Sequence, residues 1–162
     1  MVTRPKMAQK KFQYRLQKIL EFKEKLEEEE KEKLAKLLEL EVLEKQKLAQ
    51  LKQKLLDVQQ ELRLKQATGR LAVEELRYYP GHIQAVKMQI RNQELRLKEI
   101  AIKIIEQRKA LLHAAQQRQV YEKHREKSEE EWKAEEARKE AVMLDELATI
   151  NFSRKQREED GF

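Results

Sequence analysis

ELRLKQATGRLAVEELRYYPGHIQ, residues 61–84, holds Gly69, Pro80 and Gly81, and the only other breakers in the chain are Pro5 and Gly161 near its ends. Residues 6–68 and 82–160 therefore contain nothing that must interrupt a helix. Both stretches are built largely from Leu, Glu, Lys, Gln, Arg and Ala, the strongest helix formers. Gly69 is a natural helix stop because it tolerates the left-handed conformation beyond a last turn. Residues 71–79, with Leu71, Val73 and Leu76 beside Glu74 and Glu75, read as a short extra helix, and Pro80-Gly81 ends it because the residue before proline avoids helical geometry. The fold expected is all-α: two long helices in an antiparallel coiled coil with a short connector helix. The expected layout is a single coiled-coil domain over 1–162, with a first long helix at 6–68, a connector at 69–81, a second long helix at 82–151 and a flexible tail at 152–162.

Outward from this bend, composition supports the same picture. Of 162 residues, 41% are charged and 6% aromatic, too little apolar surface for an ordinary globular interior but enough for two facing stripes of about two positions in seven. Disorder, the competing reading of so polar a chain, is opposed by the ordered spacing of Leu and Ile. There is no cysteine, hence no disulfide or thiolate site, and no apolar run approaches the roughly 18 residues of a membrane span. The net charge of +6 is uneven: Arg4, Lys6, Lys10, Lys11, Arg15 and Lys18 precede any acid, and Glu27, Glu28, Glu29 and Glu30 follow. A basic end of this kind suits an acidic protein surface, anionic lipid or nucleic acid, or is simply a solvated helix end.

In the first helix Phe12, Leu16, Ile19 and Leu26 share a stripe with Lys23 in a missing step, and Leu48, Leu51, Leu55, Val58 and Leu62 alternate by three and four. The step from Leu26 to Leu34 reads as a stutter at the acidic 27–30 segment. The second helix shows Ile83, Val86, Ile90, Leu97, Ile100, Ile104, Leu111 and Ala114, with Gln93 and Gln107 filling core steps, where polar residues help fix register. A second row, Leu95, Ile102, Ile105 and Leu112, needs a cover, and residues 71–79 are the nearest candidate. The stripe then weakens through Arg118, Tyr121, Arg125 and Ser128 before Trp132, a zone expected to pair loosely or to take an outside partner, and returns at Met143, Leu147 and Ile150. Trp132 reads either as a partner anchor or as a residue of the seam, and Tyr78 and Tyr79 as a rigid pair of aromatics at the bend.

Nothing in the pattern is catalytic. Ser128 and Ser153 lie in no nucleophile-presenting turn, no glycine-rich phosphate loop exists, and the residues three before His82, His113 and His124 are Tyr79, Ala110 and Tyr121 rather than the glutamates of a di-iron site. No cofactor or metal is expected.

With the residues so arranged, the chain resembles the FliJ family of flagellar type III export proteins. KFQYRLQKILEFKEKLEEEE (11–30) looks like the family's opening, LRYYPGHIQAVKMQI (76–90) like its tyrosine-containing connector, and LDELATINF (144–152) like its closing pattern. The resemblance implies a non-enzymatic stalk of the flagellar protein-export apparatus, serving motility and chemotaxis. Its implied partners are the hexameric export ATPase, a membrane-embedded export gate and free export chaperones. Cytoplasmic placement, held peripherally at the inner face of the cell membrane at the flagellar base, is implied with them. The end holding both termini would enter the ATPase ring, with Phe12, Leu16, Ile19, Leu144, Leu147 and Ile150 packing it and Lys11, Arg15 and Lys18 facing the ring. By position the gate face would be His82, Val86, Gln89 and Gln93. Alternatives are an injectisome-type stalk, a rotary-ATPase stator, or a basic coiled coil that binds nucleic acid, the last disfavoured by the acids after Glu21. Leftover apolar rows also leave room for a homodimer.

Overall fold

A computed structural model describes residues 10–161 and places nearly all of them in two helices, α1 (Gln17–Thr68) and α2 (Val73–Asp160), with no strand among the described residues. α1 stops where Gly69 takes φ +69°, with the Thr68 hydroxyl donating back to the Leu64 carbonyl at 2.9 Å. α2 restarts after Gly69, Arg70, Leu71 and Ala72. The Ala72 carbonyl accepts from the Glu75 and Leu76 amides at 3.1 and 3.2 Å, and Glu74 and Glu75 complement the positive helix start.

The expected connector helix is not separate. Residues 73–79 are the opening turns of α2, which continues through Pro80. Proline inside a helix forfeits a hydrogen bond and crowds the carbonyl four residues back, at a cost of roughly 3 kcal/mol. Packing around it opposes that cost. Tyr79 is 4% exposed, Lys65 sits 5.3 Å from its ring centroid, and the Lys65 ammonium pairs with Glu75 at 3.3 Å.

Burial along α1 follows Leu16, Leu20, Lys23, Glu27, Glu30, Leu34, Leu37, Glu41, Glu44, Leu48, Leu51, Leu55, Val58, Leu62 and Lys65, all buried or half-buried. The steps of four and three never break, so the stutter expected at 27–30 is absent. Charged residues occupy the core positions there, which a search for apolar residues alone passes over. The same error displaced the start of the stripe: Leu20 is 2% exposed while Ile19 is 40% exposed. α2 presents Ile83, Val86, Ile90, Gln93, Leu97, Ile100, Ile104, Gln107, Leu111 and Ala114, each buried or half-buried, as the spacing predicts.

The chain divides into two compact units. In the unit Lys25–Ala115 the helices run antiparallel around Val58, Tyr79, Val86, Ile100 and Ile104. Fully burying a side chain of this size contributes about 1.5–3 kcal/mol. Two polar rungs cross this seam. Gln93 donates to the Glu44 carboxylate and, at 3.0 Å, to the Glu44 carbonyl. Gln107 donates to the Glu30 carboxylate and, at 3.1 Å, to the Glu30 carbonyl. The rungs are two heptads apart on both helices. Glu44 is only 1% exposed, so its charge needs partners, and it has them in Lys47 at 3.1 Å and Arg96 at 3.3 Å.

The other unit joins the described residues up to Glu24 with those from Gln116 onward. Here residues 10–14 are not helical and α1 begins later than the expected residue 6; residues 1–9 lie outside the described residues. Tyr14, 8% exposed, explains the late start: its hydroxyl lies 2.7 Å from His124 Nδ1 and donates to the Tyr121 carbonyl at 3.4 Å. Its carbonyl then accepts the Gln17 amide at 3.2 Å as the helix begins. The tail expected at 152–162 is helical as far as Asp160.

Candidate partner-binding surfaces

An extended aromatic segment closes the weak zone of α2. Phe12 packs on Trp132 with ring centroids 5.9 Å apart and Tyr14 on His124 at 5.6 Å. Trp132 is half-buried, a member of the packed interior as one of its two readings required. Within the polar run from Arg118 to Ser128 the segment meets α2 at Tyr121 and His124, where a tyrosine rather than an apolar stripe makes the contact.

Beyond it the character of α2 changes. Every residue from 137 to 160 is exposed, among them Val142 at 51%, Leu144 at 65%, Leu147 at 49%, Ile150 at 56% and Phe152 at 68%. Leu144, Leu147 and Ile150, spaced three apart on an exposed helix, form a stripe that a partner can bury. The residues assigned from sequence to the ATPase-facing end thus divide. Phe12 and Leu16 are half-buried, with Phe12 against Tyr14 and Trp132 rather than against the 144–150 stripe. Ile19, Leu144, Leu147 and Ile150 are exposed, as are Lys11, Arg15 and Lys18.

The four residues assigned to the gate face also divide. Val86 is 1% exposed and Gln93 is committed to Glu44, so both serve the seam with α1. His82 is half-buried, stacked on Tyr78 at 5.4 Å with the planes 13° apart, and Gln89 is exposed. Tyr78 is 62% exposed and Tyr79 4%, so only one of the paired tyrosines offers surface.

Sequence reading missed Tyr14, His124 and the two seam glutamates. The glutamates left a usable signal: Glu30 and Glu44 repeat the two-heptad spacing of Gln107 and Gln93. Tyr14 and His124 left none, because their contact joins segments more than a hundred residues apart in sequence. Among the described residues no His, Asp and Glu gather as a metal set, and no helix is long and apolar enough to cross a membrane.

An antiparallel helix pair with exposed apolar stripes and charged flanks places the chain among the two-helix coiled-coil proteins. Residues 12–157 match the family of the flagellar FliJ protein, and the chain belongs to that family. Membership makes it a non-enzymatic component of the flagellar export apparatus. No curated protein and no solved structure matches the chain.

Proposed function

We propose that this protein is the stalk of the flagellar export ATPase. It binds the hexameric ring, promotes its assembly and activity, and links it to the export gate and export chaperones. The observation that carries this reading is the exposed helical stripe Leu144, Leu147 and Ile150, held on a fully helical run with nothing from α1 laid over it. An apolar stripe of this kind is stable in water at a cost and gains when a complementary apolar ring closes around it. Lys11, Arg15 and Lys18, exposed near the start of α1, add positive charge suited to an acidic ring lining. A single asymmetric helix pair lodged in a symmetric ring favours the assembled ring by binding it and not its separate subunits. For the gate, His82 and Gln89 supply surface, while Val86 and Gln93 act through the helix register. Peripheral placement at the inner membrane face follows from those partners.

The test is the hydrolysis rate of the cognate export ATPase titrated with this protein. The rate rises with added wild-type chain, and L144S/L147S/I150S, which removes only exposed side chains, abolishes most of the rise. No change in rate or ring assembly at saturating wild-type protein overturns the proposal.

A further inference from the structure

The outer face of α2 in the unit Lys25–Ala115, opposite its seam with α1, carries a second seam. Met88, Leu95, Ile102, Ile105 and Leu112 are 55–59% exposed there. Residues 71–79, expected to cover this row, instead form the start of α2, and the row stays open. Leu95 to Ile102 is one heptad, Ile105 follows three residues on, and Leu112 is a heptad beyond that, a period of 3.5 that a packed helix reads. The steps between the apolar residues are filled by Arg91, Lys98 and Lys109, all exposed. None of these cations joins an ion pair among the described residues, although many other Lys and Arg side chains of the chain do. The two rows contain no acid between residues 88 and 112.

We propose that this face docks one amphipathic helix of a partner protein, a helix whose apolar stripe is interrupted by Asp or Glu opposite Arg91, Lys98 and Lys109. Charge selects the occupant. A second copy of this chain would bring the same cations to the same rows, and in a two-fold antiparallel pairing that matches Leu95 with Leu112 and Ile102 with Ile105, Lys98 meets Lys109. Width disfavours an anionic bilayer: the cationic face is only two rows wide, and its flanks mix Glu94, Glu99 and Glu106 with Lys87, Lys103 and Arg108, all exposed, so no broad positive surface faces a membrane. An acidic helix satisfies both conditions, because its carboxylates meet the central cations while its apolar residues fill a seam of coiled-coil width. At 1.5 Å per residue the seam from 88 to 112 is roughly 36 Å long, seven turns of partner helix. This docking is independent of the ATPase-facing stripe at 144–150, so either can fail alone.

Fluorescence anisotropy of a labelled synthetic 28-residue peptide tests it (about four heptads, by the length just given), with Leu at its core steps and Glu opposite the three cations. The full-length chain binds this peptide, binding weakens as salt is raised, and I102S/I105S weakens it at least about tenfold with helicity by circular dichroism unchanged. A peptide with Lys in place of those Glu residues does not bind. Failure of the Glu peptide to bind, or equal binding of the Lys peptide, overturns the proposal. So does concentration-dependent self-association in sedimentation that I102S/I105S removes, which assigns the face to a second copy. Co-sedimentation with phosphatidylglycerol vesicles that the same double substitution removes overturns it in favour of lipid.

Discussion

Gly69 and Gly81 lie within one bend of the sequence in opposite conformations. Gly69 has φ +69°, where a side chain is strained, whereas Gly81 lies inside α2 with open space where a Cβ would stand. Gly81→Ala therefore stabilises the protein by about 0.5–1 kcal/mol by narrowing the unfolded ensemble, and Gly69→Ala destabilises it by about 1 kcal/mol. Urea denaturation followed by circular dichroism reads both signs. The seam glutamates make a second residue-scale prediction. The hydrogen bond from Gln107, with Lys33 nearby, holds the Glu30 carboxyl below the ordinary carboxylate range, and Gln93, then Lys47 and Arg96, do the same for Glu44. A folded-state value lower than the unfolded one contributes stability that is complete above the ordinary value of about 4.3 and is lost as pH falls through the folded value. Thermal midpoints measured from pH 7 to pH 3 thus fall on the acid side, and less steeply in E30Q/E44Q. An equal slope in the double variant would contradict the assignment.

At the scale of the element, side chains two residues apart on α2 differ in consequence. Ile100 is 3% exposed and Ile102 57%, so Ile100→Ala costs about 2–5 kcal/mol through its cavity while Ile102→Ala changes stability by no more than about 0.5 kcal/mol. Register belongs here as well. A slip of one heptad would set the Glu44 carboxylate against Ile100 or Val86 instead of Gln93, an unpaired charge in an apolar layer. Replacing Glu30, Glu44, Gln93 and Gln107 together by Leu removes that discrimination. In this cysteine-free chain, cysteines introduced at Leu48 and Leu97, one heptad out of register, cross-link under oxidation only in the four-leucine background. Cross-linking in the wild-type background, or none in either, removes the register role.

For the whole molecule, the exposed residues 137–160 separate folding from partner binding. A chain ending at residue 136 retains the thermal midpoint of the full protein within a few degrees, because the core residues Val58, Val86, Ile100 and Ile104 are untouched, and it loses stimulation of the export ATPase. A large drop in the midpoint would show that the run has a structural role instead.

The sequence by itself determined that this protein is helical, folded back within residues 69–81 and built on heptads. Glycine, proline and helix-forming residues act through local backbone energies, and the Ile83–Ala114 stripe is legible from spacing alone. What only the tertiary structure decided are the facts that depend on a partner across the seam. Glu27, Glu30, Glu41 and Glu44 occupy interior positions, α2 passes through Pro80, and Tyr14 delays the start of α1 by binding His124. A carboxylate is read as solvated until its hydrogen-bond donor is found, and a proline as a stop until the packing of Tyr79 and Lys65 outweighs its strain. For Glu30, Glu44 and Tyr79 those partners, Gln107, Gln93 and Lys65, come from the opposite helix, at a distance along the chain that no local pattern spans.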